Sequence, residues 1–260
     1  MSIQIFSYPS LFLMTEYDKL ILYLYAQLKL ILLIEKKVEI MGKYKAGKET
    51  KEKIYEASKA LFYESGYTDT TCIKIAKASG ANVGLINYYF GSKGGLGIEV
   101  YNEFMSAIKT RVKEKIDAAD IDTTLLLQTA VEIRMINYNM RTNKNFSRFY
   151  YDILSENIIY NQESVMTNFY RTLAESCGLH FSEFEIAFIT YTNMGASAAT
   201  NLAYDAGLID CSSLDFANAT LDQLLTTMSL DKNIIAQVID ESYEIEKKIS
   251  IRIEKNFVIL

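Results

Sequence analysis

An all-α fold is predicted, in two parts, an N-terminal three-helix head and a C-terminal helical body. Three observations point to it. Apolar residues recur at three- and four-residue spacing over long stretches, and period-two alternation is hard to find. One proline and twelve glycines in 260 residues leave little to interrupt helices. Half of the residues are hydrophobic and 23% are charged, as in an ordinary globular chain large enough for one big domain or two smaller ones.

Residues 1–40 stand apart. The run "LILYLYAQLKLILLI" (20–34) is apolar but broken by Gln27 and Lys29. It is shorter than the ~20 residues that span a bilayer. It lacks the basic start and small-residue end of a signal peptide. The reading adopted is that Met41 opens the native protein and that "KKVEI" before it reflects purine-rich codons of a ribosome-binding site. Residues 1–40 are then translated upstream sequence, and the intact mass of the native protein tests this. The alternative keeps 20–34 as a membrane tether.

The first helix of the head is expected from about Lys48 to Ser65, with Ile54, Ala57, Leu61 and Phe62 inward. Gly66 stops it, and Tyr67 folds back as the contact that follows. Thr70 or Thr71 caps the second helix, whose inner face is Cys72, Ile75, Ala76 and Ser79. Gly80 ends it, and Asn82 caps a very short third helix with Ile86 and Phe90 inward. Ser92 caps a longer fourth helix carrying Leu96, Val100, Phe104 and Ile108 in a row. Six further helices are expected over about 122–142, 145–156, 160–177, 182–206, 213–229 and 231–250. The domain division is 41–95 for the head and 96–260 for the regulatory body.

Charge is uneven. Residues 41–95 hold nine lysines against five acidic residues, a balance of +4, whereas 96–260 balance at −9. A basic module on an acidic body suits a polyanion-binding head. Cys72, Cys177 and Cys211 are odd in number and far apart, so they suggest neither disulfides nor zinc. His180 is the single histidine and is read as structural. No metal, cofactor, nucleophile–base pair or phosphate loop is expected, and "GSKGG" lacks the rest of a P-loop.

Two helices joined across Gly80, with small Ala76 permitting a close crossing, make a helix-turn-helix. A third helix about two turns long cannot hold a core alone, so its neighbours must hold it. Such a unit fits the DNA major groove. The set Thr70-Thr71, Ile75-Ala76, Gly80, Gly84, Tyr89-Phe90 and Ser92-Lys93, with Leu61-Phe62 and Gly66-Tyr67 upstream, resembles the DNA-binding domain of the TetR family over residues 48–96. Val83 and Leu85 stand where that family often has polar residues, Asn87 where it commonly has Tyr, and Ile73 at a frequently polar position.

The resemblance implies a cytoplasmic, nucleoid-associated bacterial regulator, most simply a repressor. It implies a homodimer that binds a partly palindromic double-stranded operator and is released by a small-molecule effector. The expected DNA-contacting set is Lys48, Thr50, Thr71, Asn82, Val83, Gly84, Leu85, Asn87, Tyr88, Tyr89 and Lys93. In it, Asn87 can pair with adenine, and Val83 and Leu85 with thymine methyls. The tyrosines, Lys48, Thr50 and Lys93 can meet phosphates. Tyr89 reads equally as core. A nonspecific DNA-binding protein is the other alternative.

Residues 131–191 are rich in aromatics and methionine, which suits a largely apolar effector pocket. Met135, Tyr138, Tyr151, Met166, Tyr170 and Tyr191 are the candidates, and Glu132 and Arg134 could orient a ligand but are read first as surface charges. For the dimer interface the stripe through Tyr191, Gly195, Ala198, Ala199 and Leu202 is selected, with Val238 and Ile239 on the last helix. Packing of these small residues within one chain is the competing reading.

Overall fold

The computed structural model describes residues 16–260, without the side chains of 161–163 and of most residues in 16–44. Residues 1–15 of the apolar leader therefore lie outside the described part. In order, the helices are α1 (Glu16–Ser65), α2 (Cys72–Ser79), α3 (Val83–Phe90), α4 (Lys93–Ala118), α5 (Leu125–Thr142), α6 (Lys144–Ser155), α7 (Glu163–Ser176), α8 (Glu183–Asp205), α9 (Ser213–Thr227) and α10 (Lys232–Glu246). A 3₁₀ turn, Ile158–Gln162, precedes α7, and another, Lys255–Phe257, lies in the C-terminal tail. The described residues contain no strand beyond one antiparallel bridge between Ile253 and Ile259. From α2 onward the helices fall within a few residues of their expected spans. Each of α2 to α6 and α8 to α10 starts on a Thr, Asn, Ser or Asp whose side chain accepts a backbone N–H of the first turn.

The chain divides into two units, Met1–Glu52 and Lys53–Leu260. Within the first, the helix covers the described residues and Leu30, Ile31, Leu32 and Leu33 are exposed. No helix of the described residues is long and apolar enough to cross a membrane. The helix expected to begin near Lys48 begins at Glu16 instead. Lys48 and Thr50 thus sit in a helix interior, and the Thr50 hydroxyl donates to Ala46 O at 2.8 Å. There is no helix N-terminus there to favour a phosphate. Nothing in "MGKYKAGKET" breaks a helix strongly enough to stop it, since its glycines cost only about 1 kcal/mol each.

Within the second unit one apolar core runs from Ile54 and Phe62 of α1 through Ile75, Ile86, Leu96 and Phe104 to Val131, Phe146 and Phe149. The head therefore shares its core with the helices that follow. A second core joins α5, α7, α8, α9 and α10 around Leu173, Ile189, Leu221 and Leu225. The sequence did not foretell what happens after α10. Residues 249–260 fold back and bury Ile249, Ile251, Ile253, Phe257 and Ile259 in the first core. The Phe257 ring lies 5.3 Å from Tyr63, 6.1 Å from Phe104 and 4.8 Å from Phe149. Asn139 receives the Ile253 N–H at 3.0 Å and donates to Ile251 O at 3.0 Å, so the tail's backbone is satisfied by a buried side chain.

Arg134 and Glu132, read as surface charges, are both buried. α4, α6, α7, α9 and α10 all pack on α5, leaving it almost no solvent face. The Arg134 guanidinium donates to Ser242 Oγ (2.8 Å), Asn218 Oδ1 (2.7 Å) and Ile239 O (2.8 Å), with Glu246 Oε2 3.6 Å from Nη1. Burial lowers its pKa, partly countered by Glu246. This network ties α5 to α9 and α10.

Candidate nucleic-acid interface and effector cavity

α2 and α3 are held from within. Ile75, Ala76, Ile86 and Phe90 are buried, and Thr71 Oγ1 accepts the Lys74 N–H at 3.2 Å to start α2. Gly80 ends α2 at φ 68°, a left-handed turn that suits glycine. Its N–H bonds Ala76 O, and Asn82 Oδ1 then accepts the Gly84 N–H at 2.8 Å to start α3. Thr70 buries its hydroxyl on Gly66 O at 2.7 Å. Gly97 lets α4 approach closely, because a Cβ there meets Tyr67 Cε2 at 2.8 Å.

The face left outward is compact. Tyr88 is 77% exposed and Ile73 72%. Val83, Gly84, Asn87, Lys74 and Lys77 are exposed beside them. The Tyr88 and Tyr89 rings meet edge-on at 4.9 Å, so the half-buried Tyr89 props the exposed Tyr88. Four expected contacts are qualified by this geometry. Leu85 is half-buried and packs on the core rather than facing outward, since it lies one position from buried Ile86 on a two-turn helix. The side chains of Thr71 and Asn82 are engaged as caps. Lys93 donates to Tyr67 O at 3.1 Å and sits 4.0 Å from the Tyr67 ring centroid, tethered instead of reaching out. Sequence reasoning passed over Ile73, Lys74 and Lys77 as part of this surface. The signal was present, since they lie on the face of α2 opposite Ile75-Ala76.

Residues 54–100, which hold the whole α2–turn–α3 unit with its supports from α1 and α4, match the model for bacterial regulatory proteins of the tetR family. Over that segment the chain is similar to the tetR family. It is 33% identical over 104 residues to the probable HTH-type transcriptional regulator YttP of Bacillus subtilis (strain 168), a match covering 39% of this chain and 49% of that protein. The chain thus spans about half the length of the curated relative it matches. Among solved structures it is similar to a gamma-butyrolactone receptor (ArpA-like protein), at 14% identity and TM-score 0.41 over 78% of this chain and 100% of that one. It is also similar to TylP, a tetR regulator from Streptomyces fradiae, at 18% identity and TM-score 0.43 over 78% and 93%.

Beyond the family-matching segment, α4 to α9 line a cavity of about 550 Å³. Tyr101, Met105, Tyr150, Met166, Phe169 and Tyr170 supply much of its apolar wall, with Glu132 and Asn137 among its polar groups. Burial raises the pKa of the Tyr101, Tyr150 and Tyr170 phenols. They therefore stay neutral hydrogen-bonding groups. Of the expected pocket residues, Met166 and Tyr170 line this cavity. Met135, Tyr138, Tyr151 and Tyr191 do not. On α5 the lining stripe is 129, 132, 133, 136, 137 and 140. Met135 is turned into the first core and Tyr138 outward. Tyr151 is half-buried beside the lining Tyr150, its ring 6.3 Å away, with burial and nearby Asp205 pushing its pKa up to about 12. The missed signal was a core-facing α5 stripe that mixes Glu132 and Asn137 with Ile133, Ile136 and Met140.

The expected interface residues also separate. Val238 is buried in the second core and Ile239 packs against it, so α10 spends its apolar face inside the chain. Ala198 is buried in the first core and Leu202 packs on it. Facing outward along α8 instead are Phe184 (76% exposed), Phe188 (63%) and Tyr191, followed by Ala199, with Gly195 half-exposed between them. These positions are spaced 4, 3, 4 and 4, which is one helical stripe.

Proposed function

We propose that this chain is a ligand-responsive transcriptional regulator that binds a partly palindromic duplex as a homodimer and loosens its grip when a small molecule fills the cavity. The observation that carries the reading is the outer face of α2–α3, a short helix fully supported from behind that presents Asn87 and Tyr88 beside the exposed Lys74 and Lys77 of α2. Asn87 can make a bidentate contact to adenine, and Val83 and Ile73 can meet thymine methyls. The Tyr88 hydroxyl and the α2 lysines can reach phosphates. Specific sites are bound at about 10⁻⁸–10⁻¹¹ M, which two linked heads reach more readily than one. The exposed aromatic stripe of α8 is the dimer surface in this reading.

The head and cavity are joined by α6. Arg148 donates to Tyr63 O (3.2 Å) and Glu64 O (2.5 Å) at the end of α1, and Asp152 Oδ2 accepts the Thr68 N–H at 2.9 Å. Tyr150, between them in sequence, lines the cavity. A ligand that moves Tyr150 therefore pulls on the carbonyls that hold the head. With 1–3 kcal/mol of coupling, DNA affinity changes 5–150-fold. The test is footprinting on promoter fragments near the protein's own locus. One protected, two-fold-symmetric site supports a repressor-type regulator. A monomer that protects no fragment at moderate salt ends the reading.

A further inference from the structure

The cavity's polar wall is unbalanced. Its amides commit N–H groups to the protein itself: Asn137 Nδ2 to Ile133 O, Asn193 Nδ2 to Ile189 O, Asn201 Nδ2 to Ser197 O and Gln223 Nε2 to Asn193 Oδ1. Asn137 Oδ1 is buried with no hydrogen-bond partner among the described residues. Glu132 is only 5% exposed, receives one neutral hydrogen bond, from Gln128 Nε2 at 3.1 Å, and forms no ion pair with a described residue. Lys109, the one cation named in the described lining, lies over Phe169, its Nζ 4.5 Å from the ring centroid, and its charge offsets the burial of Glu132 only in part. A buried carboxylate with so little compensation is costly unless a cation or strong donor meets it. Four aromatic rings around it, Tyr101, Tyr150, Phe169 and Tyr170, offer π-faces that favour positive charge.

We propose that the cavity receives a lipophilic ammonium ion, whose N–H groups meet Glu132 with Asn137 as second acceptor and whose apolar body packs on the tyrosine and methionine wall. This rests on the reading of the cavity as the effector site and adds the class of effector. Lys109 defines the competing chemistry, since it attracts an anion to the same wall.

N-Phenyl-1-naphthylamine, an uncharged apolar fluorophore, reports occupancy of the cavity in the full-length protein. Three displacing probes share one skeleton: 4-phenylbutylamine, 4-phenylbutan-1-ol and 4-phenylbutyrate. At about pH 7 the first is a cation and the last an anion. The amine is expected to displace the fluorophore at about tenfold lower concentration than the acid, and below the alcohol. Glu132→Gln is expected to bring amine and alcohol together without loss of fluorophore binding, and Asn137→Leu to weaken the amine alone. Equal displacement by all three, stronger displacement by the acid, or an amine preference surviving Glu132→Gln overturns the inference while leaving the cavity reading intact. Failure of the fluorophore and all three probes to bind removes both.

Discussion

In the proposed reading Asn87 and Tyr88 decide specificity, because they are exposed on α3 and do not cap a helix or fill the core. Asn87→Ala is expected to cost about 1–3 kcal/mol of operator binding and to relax preference at one base pair in each half-site. Binding titrations against single-base operator variants check this. Lys93→Ala, by contrast, is expected to act through the head's stability, because its ammonium is already bound to Tyr67 O. Glu132 carries a pH signature. Burial raises its pKa above the usual carboxylate value, with Lys109 and Gln128 opposing. A raised acid penalises the fold wherever the group is charged in it. Stability of the ligand-free protein is therefore expected to rise as pH falls through the raised value and to level off below the unfolded pKa. Glu132→Gln should flatten that rise in thermal-unfolding midpoints. Residue identity was legible in sequence where one side chain does one local job, as with the caps Thr71, Asn82 and Ser92. It was not legible for Glu132 and Arg134. A charged residue on an apolar helix looks solvated until the other helices that surround it are known.

At the scale of elements, α6 and α8 carry the testable consequences. Arg148→Ala removes a charge-assisted donor from two carbonyls at the end of α1. Hydrogen bonds of that kind contribute about 1.5–3 kcal/mol. The expected result is a lower unfolding midpoint together with operator affinity that responds less to ligand, measured by calorimetry and by DNA binding with and without a cavity probe. Phe188→Glu on the α8 stripe is expected to leave the helix content intact and shift the protein toward monomer in sedimentation, with loss of two-site operator binding. A dimer unaffected by Phe188→Glu places the interface elsewhere. Helix spans from α2 onward were readable from caps and 3.6-residue periodicity. Which face of α8 or α10 turns outward was not, since both have apolar residues on more than one side and only the packing of α5, α7 and α9 chooses between them.

At the scale of the molecule, no break in packing separates the head from the helices behind it. The first core passes from Ile54 to Phe149 without interruption. Stiff packing of that kind transmits a shift rather than absorbing it. The sequence suggested a division near residue 95, from the change in charge balance, and charge reports on the surface alone. The cavity's lining begins at Tyr101, directly after the family-matching segment, and takes in Tyr150 of α6, so α4 and α6 join the two.

No helical period runs through the last ten residues, yet Phe257 is wedged between α1, α4 and α6 while Lys255 pairs with Glu64 at 2.9 Å. Residues 251–260 thus act as a keystone between α1, α4 and α6. Removing residues 251–260 is expected to uncover Tyr63, Phe104 and Phe149 and to lower the melting temperature by several degrees, well beyond what trimming a solvated terminus does. A purification handle fused after Leu260 is accordingly expected to strain a packed segment.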